Sequence, residues 1–130
     1  MKDEGGRMKD EMIDLKTRTK GFALRVIRLY SALPNTTEAQ VIGKQLLRSG
    51  TSVGAHYREG MRARSDAEFI SKIEGGLQEL EESCYWLELL VEATIFPEEK
   101  LAALMAEANE LTAILITCVK NVKAKKKTRK

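Results

Sequence analysis

Apolar residues recur along this chain every three or four positions, which is the spacing of one face of an α-helix. The repeat is clearest in the second half, where it comprises Ile73, Leu77, Leu80, Cys84, Leu87 and Val91. A later run has the same steps and comprises Leu101, Leu104, Ala108, Leu111, Leu115, Cys118 and Val122. This spacing predicts helices that bury one face against each other in a bundle.

Two earlier segments have the same period. The first comprises Met12, Leu15, Thr19, Phe22, Val26, Leu29 and Leu33. The second comprises Ile42, Leu46, Ser49, Val53 and either His56 or Tyr57. Pro34 is expected to end the first helix because the residue before a proline disfavours the helical conformation. Thr36 or Thr37 can cap the second helix.

Start signals also mark the third and fourth helices. Ser65 with Glu68 forms a capping box, and Pro97 suits the first turn of a helix. The boundaries predict helices at about 10–33, 37–60, 65–93 and 97–122. Together they form one domain over 1–122, an all-α, antiparallel up-and-down four-helix bundle, followed by a basic tail at 123–130. We interpret the tail as a disordered, solvated end, with a contact to nucleic acid or an anionic surface as the alternative.

Composition agrees with a soluble helical domain, since apolar residues make up 43% and charged residues 32% of the 130 residues. The first residues are charged and carry no secretory signal, so we expect a cytoplasmic protein. No window approaches 18 uncharged apolar residues, so we expect no membrane partner.

The net charge of +3 conceals an uneven distribution. Residues 16–64 contain ten Lys or Arg and two acids, whereas residues 66–110 contain twelve acids and two bases. The last eleven residues contain seven bases and no acid. Basic and acidic halves allow a protomer to contact its copies head to tail, which closes into a ring if the rotation permits.

The segment LLRSGTSVGAHYREG, residues 46–60, is glycine-rich but does not predict a phosphate-binding loop. Such a loop follows a strand and ends in Gly-Lys-Ser/Thr, whereas here a helix precedes and no lysine follows Gly50. Gly50 and Gly54 instead lie on one helix face, where a neighbouring backbone can approach closely. We expect no cofactor.

Other candidates for chemistry are equally weak. His56 is the only histidine and no Cys, Asp or Glu pattern converges on it, so we expect no metal site there. A single histidine also excludes the paired Glu-x-x-His pattern of di-iron bundles, and we expect His56 to make a polar contact near Glu59. Cys84 and Cys118 lie on predicted core faces about eleven residues out of register, roughly 16 Å along the axis, too far apart for a disulfide. The sequence therefore predicts a protein that is not an enzyme.

With the bundle in place, residues 42–93 resemble the four helix bundle protein family that is found in intervening sequences of bacterial large-subunit ribosomal RNA genes. The resemblance rests on the segment at 46–60 and on DAEFISKIEGGLQELEESCYWLELL in the third helix. His56 replaces the asparagine usual in the family. The positions that match the family, interpreted as structural, include Ser52, His56, Glu59, Phe69, Glu79, Glu82 and Trp86.

The resemblance implies self-association into a ring, a homopentamer, and supplies no settled activity. A relative similar in fold, the accessory protein of diversity-generating retroelements, binds nucleic acid and a reverse transcriptase. Tyr85 and Trp86 suit either the edge of the core or a subunit interface.

Two functions remain open. The first is a self-assembling bundle whose basic surface binds RNA or DNA with little sequence specificity. The candidate binding residues are Arg18, Arg25, Arg28, Lys44, Arg48, Arg58, Arg62, Arg64, Lys123, Lys125, Lys126 and Lys127. The second is a structural or adaptor oligomer that binds a protein partner, with the charges serving assembly alone.

Overall fold

The computed structural model describes the backbone of residues 4–128 and the side chains of residues 15–125. Four helices account for nearly all of it: α1 (Glu4–Ala32), α2 (Thr37–Met61), α3 (Asp66–Glu92) and α4 (Glu98–Thr128). No strand occurs within the described residues. Short connections join the helices, and each helix packs on its neighbours in chain order, while α4 also closes onto α1. The predicted all-α four-helix bundle is confirmed.

The helix starts form as the capping residues predict. The Thr36 side chain accepts a hydrogen bond from the Ala39 amide at 3.3 Å, and Ser65 accepts one from the Glu68 amide at 3.1 Å. Glu68 in turn accepts from the amide of Arg64 at 3.1 Å, one residue before the position expected in a capping box. These bonds satisfy amides that have no partner within the helix.

The turn from α3 to α4 contains the one non-glycine residue with positive φ in the described chain, Thr94 at 58°. The amide of Ile95 donates to the Leu90 carbonyl at 2.9 Å, and that of Thr94 donates to the Val91 carbonyl at 3.0 Å. This pair of bonds is a Schellman motif, which usually has glycine where Thr94 stands. These hydrogen bonds therefore fix the end of α3, although threonine at positive φ costs free energy that glycine would not.

The first and last helices of the chain are both longer than predicted. α1 begins at Glu4 rather than near residue 10, and α4 continues to Thr128 rather than ending at 122. The segment predicted as a tail contains lysine and alanine, which favour helix, and no glycine or proline that would stop α4. Lys123 and Lys125 therefore extend α4 instead of starting a separate segment.

The buried face of α3 is rotated from the predicted one. Ile73, Leu80 and Leu87 are buried as expected. The other buried positions of α3 are Gly76, Ser83 and Leu90, rather than the predicted Leu77, Cys84 and Val91. Both sets repeat every three or four residues, and the prediction chose the one with larger apolar side chains. The smaller side chains lie deeper because α3 packs closely against α2. Similarly, Val119 replaces Cys118 in the buried set of α4.

Glycines on α2 permit an equally close approach of α1. A methyl group added at Gly50 would lie 2.8 Å from Cγ2 of Val26, and one at Gly54 would lie 3.2 Å from the Thr19 hydroxyl. The expectation that this glycine-rich segment is a closely packed helix is confirmed. The neighbouring question of which residue continues the core face is also answered, since Tyr57 is buried and His56 is only half-buried.

Of the described helices, α4 alone is long and apolar enough to cross a membrane, with a mean hydropathy of 1.5 over its best window. Only 28% of that window is buried. Its apolar character nevertheless follows from packing, because Leu101, Leu104, Ala108, Leu111 and Leu115 all face the bundle core. A core helix of a soluble bundle meets the same length and composition criteria.

Candidate nucleic-acid interface

Arg18 is engaged within the bundle. Its guanidinium forms a two-pronged contact with Glu107 on α4, at 2.7 Å and 3.0 Å, and approaches Glu110 at 3.4 Å. The side chains of Arg18 and Glu107 are only 22% and 17% exposed. Because α1 and α4 are the least closely packed neighbours in the bundle, this ion pair is a principal link between them. Arg18 therefore links α1 to α4, and its positive charge is already paired with glutamate.

Arg48 is likewise paired, on the outside of the α2–α3 groove. Its guanidinium lies 2.9 Å from Glu82 and 3.2 Å from Glu79. The hydrogen bond to Glu82 and the charge of Glu79 raise the pKa of Arg48 above its usual value. Arg48 remains half-exposed, so the pairing is screened by solvent and contributes little to stability. In both cases an arginine of the basic half of the chain pairs with glutamates of the acidic half of the same chain.

In six of the candidate arginines and lysines the side-chain cation has no carboxylate within 4.0 Å in the described part of the chain. They fall into two groups. The first group lies along the outer parts of α1 and α2 and consists of Arg25, Arg28 and Lys44. The second group lies at the end of α2 and in the following turn and consists of Arg58, Arg62 and Arg64.

The second group meets the basic end of α4. Arg64 and Lys125 line the same cavity, which places the α2–α3 turn beside the C-terminal turns of α4. Lys123 is on the same part of α4 and lies 3.6 Å from Glu74 across an exposed contact. We call the set Arg58, Arg62, Arg64, Lys123 and Lys125 the basic end. The side chains of Lys126 and Lys127 lie outside the described residues.

The direction of the helices explains why basic residues cluster at this end of the bundle. α2 and α4 run in the same direction and both finish at the basic end, where their unsatisfied carbonyl groups carry partial negative charge. Basic side chains in the last turns offset that charge, as Arg58 does on α2. Sequence reasoning missed this convergence by treating the basic residues of each helix as separate stripes. The alternating direction of four consecutive helices was the available signal.

The family-matched positions lie on α2 and α3, and one of them, Phe69, lines the cavity at the basic end. A methyl group at Gly75 would lie 2.8 Å from the His56 ring, so the ring packs closely against α3 at this glycine. The expected contact of His56 with Glu59 does not form, because the Glu59 carboxylate lies 3.7 Å from the Lys72 ammonium. His56 Nδ1 and Trp86 Nε1 are buried with no hydrogen-bond partner among the described residues.

A buried polar contact holds the same seam and was not predicted. The hydroxyls of Ser49 and Ser83 lie 2.8 Å apart, and each also reaches a carbonyl of its own helix, Leu46 and Glu79 respectively. Serine at both positions keeps the helices close while satisfying the buried hydroxyls. Ser52 donates to its own Arg48 carbonyl at 2.7 Å, and Phe69 is half-buried at the start of α3.

Two partly or fully buried side chains have raised pKa values. Burial raises the pKa of the Cys84 thiol, and the nearby Glu88 and Glu81 raise it further, which disfavours the nucleophilic thiolate. Burial also raises the pKa of Tyr57, with a further contribution from Cys118. Both cysteines are free thiols. No group of three His, Cys, Asp or Glu side chains is placed to hold a metal ion within the described residues.

The family model of the 23S rRNA-intervening sequence protein matches residues 11–117. The chain belongs to this family. The match begins in α1 and ends in α4, so it includes Arg58, Arg62 and Arg64 and stops before the lysines of the basic end. The resemblance first seen in α2 and α3 is thereby confirmed for most of the chain.

A solved structure agrees with this assignment. The chain is similar to a protein of unknown function from the S23 ribosomal protein family of Bacteroides thetaiotaomicron, with 38% sequence identity and a TM-score of 0.79. The similarity covers 84% of this chain and 97% of that protein. No curated protein matches the chain. Family membership therefore fixes the architecture and leaves the biochemical role to be argued from the surface.

Proposed function

We propose that this member of the 23S rRNA-intervening sequence protein family is a non-enzymatic, cytoplasmic protein that binds RNA or DNA through its basic end. The observation that carries the proposal is the convergence of three arginines from the end of α2 with the lysines of α4. The guanidinium groups of Arg58, Arg62 and Arg64 have no carboxylate within 4.0 Å in the described chain, and all three residues are exposed to solvent. Arginine suits phosphate because its planar guanidinium can donate two parallel hydrogen bonds.

As far as the structure describes it, the basic end contains no element that would read base sequence in a groove. A protein that contacts mainly phosphates binds with little sequence specificity and releases counterions on binding. Binding should therefore weaken steeply with salt. The paired residues Arg18 and Arg48 are secondary in this proposal, because breaking their contacts with glutamate would oppose any gain from phosphate.

The test compares the two groups of arginines and lysines that lack an acidic partner. One variant carries Arg58→Gln, Arg62→Gln and Arg64→Gln; the other carries Arg25→Gln, Arg28→Gln and Lys44→Gln. Both remove three positive charges, so a general loss of charge affects them equally. Fluorescence anisotropy with a labelled single-stranded RNA should show weaker binding, and a salt slope lower by about two, for the first variant only.

An equal loss of RNA affinity in both variants would show that net charge, and not the basic end, determines binding. Loss in the second variant alone would place the site on α1 and α2.

We also propose that the protein assembles with copies of itself, as a ring and most simply the pentamer that the family resemblance implies. Exposed apolar side chains support association. Leu24 and Ile27 are each 42% exposed on α1 beside basic residues, and Tyr85 is 53% exposed on α3 beside acidic ones. Within the described residues the backbone of α1 packs beside α2 and α4 and not beside α3, so α1 and α3 are diagonal in the bundle, which favours head-to-tail contact between their outer faces.

Size-exclusion chromatography with light scattering tests the assembly. A single species of five subunits is expected at micromolar concentration and moderate salt. Replacing Leu24 and Ile27 with Gln should lower the mass, because their apolar surface would no longer be buried between subunits. A monomeric native protein would contradict the proposal. An adaptor role, with assembly but no nucleic-acid binding, is the outcome if only this second test succeeds.

A further inference from the structure

The basic end encloses a cavity of about 670 Å³. Its walls come from all four helices, with Leu15 on α1, Met61 on α2, Phe69 on α3 and Ile114 and Val122 on α4. This volume is within the range of pockets that bind small molecules in proteins, about 300–1,000 Å³. The cavity is therefore large enough for a nucleobase with its sugar, and its lining is mostly apolar.

Charge surrounds the apolar interior. Arg64 in the α2–α3 turn and Lys125 on α4 line the cavity together with one acid, Asp66 at the start of α3, so the bases outnumber the acid. The Arg64 side chain is exposed and has no carboxylate within 4.0 Å among the described residues. An apolar space beside basic groups suits a ligand with a flat apolar part and a negatively charged linkage. A nucleotide has this combination, with an aromatic base next to a phosphate.

The base of a duplex is not available to such a cavity, because it is stacked and paired. Single strands present unstacked bases that proteins hold against aromatic side chains, while basic groups follow the backbone. Phe69, half-buried at the first turn of α3, supplies an aromatic ring in the cavity wall. Asn121 adds an amide that can donate to or accept from a base edge.

We infer that the cavity accepts one unpaired base of a single strand, while Arg64 and Lys125 contact the neighbouring phosphates. The inference rests on the proposed function and specifies single-stranded nucleic acid as its substrate. It predicts a preference for a single strand over a duplex of the same sequence, a preference that a purely electrostatic surface would reverse because duplex phosphates are more densely spaced.

The experiment measures the affinity of full-length protein for a labelled RNA of about 12 nucleotides, free and as a blunt duplex. Thr117→Trp fills the cavity from an exposed position on α4, where the hydroxyl bonds only its own helix. The matched control is Ala113→Trp, one turn earlier, exposed and outside the cavity. Phe69→Leu preserves apolar volume and removes the aromatic face. Circular dichroism and light scattering report whether each variant folds and assembles.

The native protein should prefer the single strand by about tenfold, a typical loss when one base contact is removed. Thr117→Trp and Phe69→Leu should abolish that preference and leave duplex affinity unchanged, and Ala113→Trp should alter neither. Equal native affinities, or an unchanged preference in Thr117→Trp, would overturn the inference while leaving the proposed function intact. A changed subunit number in Thr117→Trp would show that another subunit covers the cavity, which would also overturn the inference. Failure of the native protein to bind either probe would overturn the proposed function itself.

Discussion

Replacing Gly50 with alanine should destabilise the protein, although alanine is the better helix former. The added methyl would lie 2.8 Å from Cγ2 and 3.0 Å from Cγ1 of Val26 on α1. Carbon atoms in good contact are about 3.5–4.0 Å apart, so α1 and α2 would have to separate. Val26 cannot turn aside easily, since it is fully buried and a β-branched side chain has one preferred rotamer in a helix.

The magnitude follows from two opposing effects. Overpacking a core by a methyl group costs about 1–3 kcal/mol. Removing glycine from a helix interior contributes about 1 kcal/mol in the other direction. The free energy of unfolding of Gly50→Ala should therefore fall by about 0–2 kcal/mol. Because this range includes zero, a control variant is needed to separate the packing effect from helix propensity.

Gly21→Ala supplies the matched control. Gly21 lies inside α1, and a methyl group there would meet nothing within 4 Å. That variant should gain about 1 kcal/mol from helix propensity alone. Urea unfolding of both variants, followed by circular dichroism at one protein concentration, isolates the packing effect. A difference of about 1–3 kcal/mol between them is expected, and equal stabilities would refute the close approach of α1 and α2 at Gly50.

Three further predictions concern other parts of the bundle. Thr94→Gly should raise the free energy of unfolding by about 1 kcal/mol, because glycine adopts positive φ without the steric cost of threonine; urea unfolding measures it. A double-mutant cycle with Arg18→Ala and Glu107→Ala should give a favourable coupling of about 1 kcal/mol, at the upper end for a partly exposed ion pair, and no coupling would show that the contact is absent in solution. In a Cys118→Ser background, Cys84 should react with a thiol reagent near pH 8 at least about tenfold more slowly in the folded than in the urea-unfolded protein, because burial raises its pKa and limits access.

The periodic apolar pattern was sufficient to predict the four helices and their order. Ser65, Thr36 and Pro34 act locally, so their effects on helix ends could be inferred without tertiary structure. The same pattern could not choose between two overlapping faces on α3. Hydropathy favours Leu77 over Gly76, whereas burial depends on how closely α2 approaches, which is a property of two helices together.

The sequence shows which residues could supply positive charge to the candidate site, but not how the fold arranges them. The sequence identifies every arginine and lysine but not which of them has an acidic partner. Arg18 pairs with a glutamate 89 positions away, and such a pairing depends on the register between α1 and α4. The cavity at the basic end was not predictable for the same reason, since residues from four helices form it. Family membership does not supply these details.

The central claim is that phosphate contacts at the basic end drive binding, and the salt dependence of RNA affinity tests it most directly. The five cations of the basic end, if each contacts one phosphate, predict a slope of roughly −3.5 in log affinity against log salt for a single strand. The dissociation constant of the native protein should then rise by about 100-fold between about 50 and 200 mM salt. An affinity that is independent of salt, or no binding even at the lower concentration, would contradict the account.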